Sequence, residues 1–153
     1  MFHLIQSDLD PQIRSGELII VPDTGPFFDV LAERFPIGLN RISWEELNKK
    51  KHIDVIARPR EITSDELRSL LSAHRALIRH WLDSEAIAQN TEVMWIGDDT
   101  EVGLKMTRET LLDLFPVLFS FPQHSYALPA DGAWCLNYIM EGELFFAAAG
   151  CPA

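Results

Sequence analysis

Hydrophobic positions along the chain change their period, and that change divides it into helical and extended parts. Leu67, Leu70, Leu71, His74, Leu77, Ile78, Trp81 and Leu82 recur at i, i+3, i+4 and i+7, the spacing that lines one face of an α-helix. Arg68, Ser72, Arg75 and Arg79 fall on the opposite side. Thr63 with Glu66 has the form of a capping box. Together these predict one long amphipathic helix from about Asp65 to Ala88. Phe27, Phe28, Val30, Leu31 and Phe35 also recur at helical spacing, between the Asp23-Thr24-Gly25-Pro26 turn and Pro36, with proline at an early helical position where it is tolerated. Ser43-Trp44-Glu45-Glu46 again has capping-box spacing and predicts a short helix through about Lys50.

Extended segments show a different pattern. Leu18 to Val21 reads as a short buried strand stopped by Pro22, and the β-branched Ile53 to Ala57 as a second strand, ended by Pro59. Val93–Ile96 and Val102–Met106 flank Gly97-Asp98-Asp99-Thr100-Glu101, the arrangement of a hairpin. Thr107 can cap a helix through Leu114, which Pro116 then limits. Three more strands are expected at His124–Leu128, Trp134–Met140 and Leu144–Ala148, the last two joined by Glu141-Gly142. Strands therefore gather toward the C-terminus without alternating with helices. The fold class predicted is α+β, a C-terminal antiparallel sheet packed against helices that include the long amphipathic one. The 153 residues read as a single domain (1–153) large enough for its own core.

Composition narrows the function more by exclusion than by assignment. The chain carries a net charge of −10, and the charge is unevenly spread. Residues 1–40 hold −4, residues 41–90 hold +1 and residues 91–153 hold −7. No basic footprint for nucleic acid emerges, since the Lys49-Lys50-Lys51, Arg58, Arg60, Arg68, Arg75 and Arg79 cluster is balanced by acids. The N-terminal residues lack the features of a secretory signal, and no stretch reaches the roughly 20 apolar residues of a membrane span. A cytoplasmic protein without membrane contact is the expectation. Cys135 and Cys151 belong to no metal or redox motif. The chain is expected to keep both thiols free and to need no cofactor and no metal.

Catalytic signatures are missing: no nucleophile elbow, no phosphate loop and no HExxH pair. His74 reads as a hydrogen-bonded residue of an apolar stripe, and His124 stands before a strand where a pocket could form. Asp98-Asp99 could hold a cation at a hairpin tip, but adjacent acids are also ordinary solvated turn residues. Each Trp is expected to pack in the core, Trp44 being the one nearest the surface and a candidate interface anchor beside Glu45 and Glu46. The acids Glu92, Asp98, Asp99, Glu101, Asp131, Glu141 and Glu143 lie at or near predicted strand ends, where they form either a solubilising surface or a docking face for a cationic protein.

In these features the chain resembles, as a class, the immunity proteins that neutralise bacterial toxins, such as those of contact-dependent inhibition systems. The resemblance implies a non-enzymatic inhibitor that binds a basic partner, a nuclease-like toxin domain, through Asp98, Asp99, Glu101, Asp131, Glu141, Glu143, Trp44 and Glu45. The alternatives are a small enzyme built from scattered His and carboxylate residues, which would need a pocket where His74 or His124 meets an acid, and a cytoplasmic adaptor module, which would show an apolar groove.

Overall fold

The computed structural model describes residues 2–39, 41–58 and 60–149, the side chains of His3 and Leu4 excepted. Cys151 and the strand-ending Pro59 lie outside the described residues. In chain order the elements are α1 (His3–Ser15), β1 (Ile19–Val21), α2 (Gly25–Arg34), β2 (Ile37–Gly38), β3 (Arg41–Ile42), a 3-10 turn (Trp44–Glu46), β4 (Lys51–Asp54), α3 (Ser64–Ala73), α4 (Arg75–Ser84), β5 (Glu92–Gly97), β6 (Gly103–Thr107), α5 (Arg108–Phe119), β7 (Ser125–Leu128), β8 (Trp134–Ile139) and β9 (Glu143–Ala148). The fold mixes helix with a large antiparallel sheet, as the pattern predicts. The sheet has seven strands in the order β1-β6-β5-β7-β8-β9-β4. Its five inner strands lie after residue 91, while both edge strands come from the N-terminal half, and β1 is not the buried strand expected, since Ile19 and Ile20 are exposed.

The sheet is covered on both faces. On one face Val93, Trp95, Leu104, Met106, Ala127, Leu136, Leu144 and Phe146 meet α1, α3, α4 and α5. On the other, Met94, Ile96, Tyr126, Leu128, Cys135, Ile139 and Phe145 meet α2, β3 and the 3-10 turn. Successive residues of β5, β7 and β8 are therefore buried alike, because a strand's side chains alternate between two faces that are both dry. Cys135 is a buried free thiol, and burial holds its pKa far above the usual value.

Four helical expectations need correction. The predicted helix from Asp65 to Ala88 is two ten-residue helices that break at His74, whose backbone leaves helical geometry at φ −98 and ψ 0. The break has a local cause: the His74 ring donates from Nδ1 to the Leu70 carbonyl at 2.8 Å, the acceptor that its own amide would take in a continuous helix. That amide turns to Leu71 instead. The stripe survives the break, with Leu67, Leu71, Ile78, Trp81 and Leu82 buried, and the Thr63–Glu66 capping box is formed. Ser43 provides no side-chain cap, and the helix expected through Lys50 is a single 3-10 turn. Helix α5, capped by Thr107, continues through Pro116 to Phe119. An interior proline costs about 3 kcal/mol, here opposed by the burial of Leu111, Leu112, Leu114, Phe115, Leu118 and Phe119. Finally, α1, which also contains a proline (Pro11), has no counterpart in the expected elements.

Leu71 is fully buried, whereas Leu77 is only partly so. In urea unfolding, Leu71→Ala is expected to cost about 2–5 kcal/mol, and Leu77→Ala clearly less.

Candidate functional site

Antiparallel pairing decides which loops meet. Strand β5 ends at Gly97 opposite Ser125 of β7, Ser125 pairs with Tyr138 of β8, and Ile139 pairs with Glu143 of β9, which faces Asp54 of β4. The 98–101 turn, His124, the 140–142 turn and the end of β4 therefore share one end of the sheet. Of the expected acids, Asp98, Asp99, Glu101, Glu141 and Glu143 are brought together there, joined by Asp54. Asp131 and Glu92 are not: the β7–β8 turn and the start of β5 lie at the opposite end. There Asp131 accepts from the Ala133 amide and Glu92 lies 3.9 Å from Lys105.

Trp44 also requires correction. It is not an exposed anchor but a core residue, 4% exposed. Its ring stacks on Phe145 at 5.0 Å and its indole N–H donates to Asn137 Oδ1 at 2.8 Å. The bond satisfies a polar group that burial takes from water, and Asn137 in turn donates to the Ser125 carbonyl at 2.9 Å. Glu45 remains exposed on the short turn beside it.

The acid end is held rigidly. Asp98 accepts from the His124 amide at 3.1 Å, and its own amide donates to the His124 carbonyl. The His124 ring accepts the Met140 amide at Nδ1, which places the proton of the neutral ring on Nε2. His124 thus fastens the 98–101 turn to the 140–142 turn. Buried Gln123 accepts the Asp99 amide at 2.9 Å. The two acids thus serve as fixed turn residues.

Charges at this end are partly answered. Arg41 of β3 reaches Glu141 at 3.2 Å. Partial burial pushes the Glu141 carboxyl up, but its own backbone amide, Arg41 and the nearby His124 ring outweigh that and hold it below its ordinary value. Glu101 is held low chiefly by its own backbone amide.

Beside Glu143 the fold assembles a group that sequence reasoning missed. His52 and Asp54 lie two apart on β4 and so share a face. His52 Nε2 is 2.9 Å from Glu143 Oε1 and 3.5 Å from Asp54 Oδ1. The H-x-D spacing was legible as a shared strand face; Glu143, far away in sequence, was not.

A concavity of about 720 Å³ between Leu47–Lys51, Glu85 and Phe146–Ala149 is lined by neither His74 nor His124. Among the described residues, no helix is long and apolar enough to cross a membrane.

Two outcomes check this geometry. A Cβ at Gly97 would lie 1.9 Å from Gln123 Nε2, so Gly97→Ala should expel the Gln123 amide from the Asp99 turn. The expected loss is about 1–3 kcal/mol in thermal or urea melts, with a large shift of the Asp99 amide resonance. Arg41→Ala should raise the Glu141 pKa, read by carbon-13 titration of its carboxyl. The sign follows from linkage: a lowered folded pKa stabilises above the unfolded value, and that stability is lost as pH falls through the folded one. The variant should therefore show less stability gained between acid and neutral pH.

Comparison of the chain with family models, with curated proteins and with solved structures finds no match.

Proposed function

We propose that this protein is a non-enzymatic binding protein that docks its acidic sheet end onto a basic protein partner, in the manner of an immunity protein that blocks a nuclease-like toxin domain. The observation that carries this reading is the convergence of Asp98, Asp99, Glu101, Glu141 and Glu143 from separate loops onto one hydrogen-bonded end of the sheet. Held carboxylates lose little freedom on binding, which favours affinity, and their field steers a cationic partner.

The contrast with the opposite end supports the choice of surface. There Asp83 meets the buried Arg108 at 2.6 Å, Glu109 meets Arg79 at 3.0 Å and Glu92 approaches Lys105. Acids neutralised within the fold have little field left for a partner; at the acid end this holds for Glu141, paired with Arg41, so the field there comes chiefly from Asp98 and Asp99. The enzymatic alternative has weaker support, since His74 is spent on the Leu70 carbonyl and His124 on the Met140 amide. Asp131, Glu92 and Trp44 drop out of the docking surface, and Glu45 is peripheral to it.

Toxin domains encoded beside immunity genes supply the test. Co-expression with the neighbouring toxin domain should restore growth. Association of the purified pair should slow as salt rises from low to physiological concentration, because the steering field is screened. Reversing Asp98, Asp99 and Glu101 to lysine should slow association roughly tenfold or more, whereas Asp131→Lys should not; because Asp98 accepts the His124 amide, the triple reversal should also lower the melting temperature. Unchanged kinetics in the triple reversal, with no salt dependence, would exclude this end as the interface.

A further inference from the structure

The β4–β9 edge carries an arrangement of which the docking reading uses Glu143 alone. Asp54 and Glu143 are direct cross-strand partners, and like charges placed directly opposite each other destabilise a sheet. Two carboxylates in register need a cation between them. His52 lies between them, its Nε2 2.9 Å from Glu143 Oε1 and 3.5 Å from Asp54 Oδ1.

We propose that His52, Asp54 and Glu143 form a divalent-cation site selective for zinc-like ions. One ligand atom from each residue lies within 4.8 Å of the other two. Zinc bonds nitrogen and oxygen at about 2.0–2.2 Å, so donors around a tetrahedral zinc stand roughly 3.3 Å apart. The two measured separations at His52 bracket that value, and a small adjustment of the exposed Asp54 side chain closes the third. One imidazole among two carboxylates favours zinc over magnesium or calcium, which take oxygen ligands.

The imidazole is positioned in advance. Its ring rests on Phe145 at 4.6 Å, Phe145 stacks on Trp44 at 5.0 Å, and Trp44 is pinned by its hydrogen bond to Asn137. A buried aromatic column thus sets the height and tilt of an otherwise surface histidine. When the cation binds, the proton that Nε2 donates to Glu143 is released and the metal takes its place. Three protein donors leave a coordination position open to water, as in reactive rather than closed structural zinc sites. The side chains of His52 and Glu143 are 34% and 33% exposed, so that position faces solvent. The site would also clip the short edge strand β4 to β9 at their paired ends.

Titration calorimetry with zinc chloride and visible absorption of cobalt chloride, on the full chain near neutral pH, test the assignment. One equivalent should bind, with the intense visible bands of a low-coordinate cobalt site and a rise in melting temperature. His52→Gln and Glu143→Gln should each weaken binding more than the roughly 10–100-fold expected for an outer-sphere partner and abolish the bands. Asp54→Asn, at the most exposed of the three positions, keeps the test open if either of those variants folds poorly. His80→Gln, a change at an exposed histidine on α4, should leave binding intact. Absence of zinc binding, or zinc binding that His52→Gln weakens no more than His80→Gln does, would overturn the site.

Discussion

Dry burial of the sheet on both faces is the constraint on which the rest of the structure depends. A strand covered on one side can still display every second side chain; strands β5, β7 and β8 cannot, because helices lie against one face and α2 with the 3-10 turn against the other. Their backbone groups are satisfied laterally by neighbouring strands, and their side chains are almost wholly apolar. Polar chemistry is thereby driven to the strand ends and to the edge strands. Asn137, a fully buried exception, spends its amide on Trp44, Ser125 and Tyr138, which offsets the cost of taking it from water.

From that constraint follows the polarity of the molecule. Antiparallel order sends alternate loops to opposite ends, so the acids were sorted by strand direction rather than by their position in the chain. One end neutralises its acids internally, with Arg108 buried between Asp83 and the Ile87 carbonyl as its anchor. The other keeps several carboxylates in register and ties its turns together through His124. The same register that gathers them also sets Asp54 against Glu143, a local repulsion that His52 relieves. A docking face and a cation site would be two consequences of one crowding of negative charge at the strand ends.

Much of the fold was legible in the sequence because its causes are local. The 3.6-residue stripe from Leu67 to Leu82, the Thr63–Glu66 box, the Thr107 cap and the hairpin at Gly97–Glu101 depend on neighbours within a few positions, and all are present in the fold. Most failures occurred where a distant partner outweighed a local rule; the break at His74 has a local cause instead. Pro116 reads as a stop, yet α5 runs through it because the core on either side rewards continuation. The Ser43 box reads as a helix start, yet the pull of Trp44 toward Phe145 and Asn137 leaves room for a single turn. His74 reads as one more position on the stripe, but its ring takes a backbone carbonyl and breaks the helix.

The sequence by itself determined most strands of the sheet, the apolar stripe, the excess of acid after residue 91 and the residues available for chemistry. Only the tertiary structure decided which of them meet. Whether Glu141 stands beside Asp98 or beside Asp131 is settled by strand order, and strand order depends on pairing across long separations that no short window of sequence records. His52 and Glu143 lie 91 positions apart, yet they touch because β4 pairs with β9 at a register set by burying Ile53 and Phe146 on one face. Shifting that register by one residue would turn His52 into the core and dissolve the group.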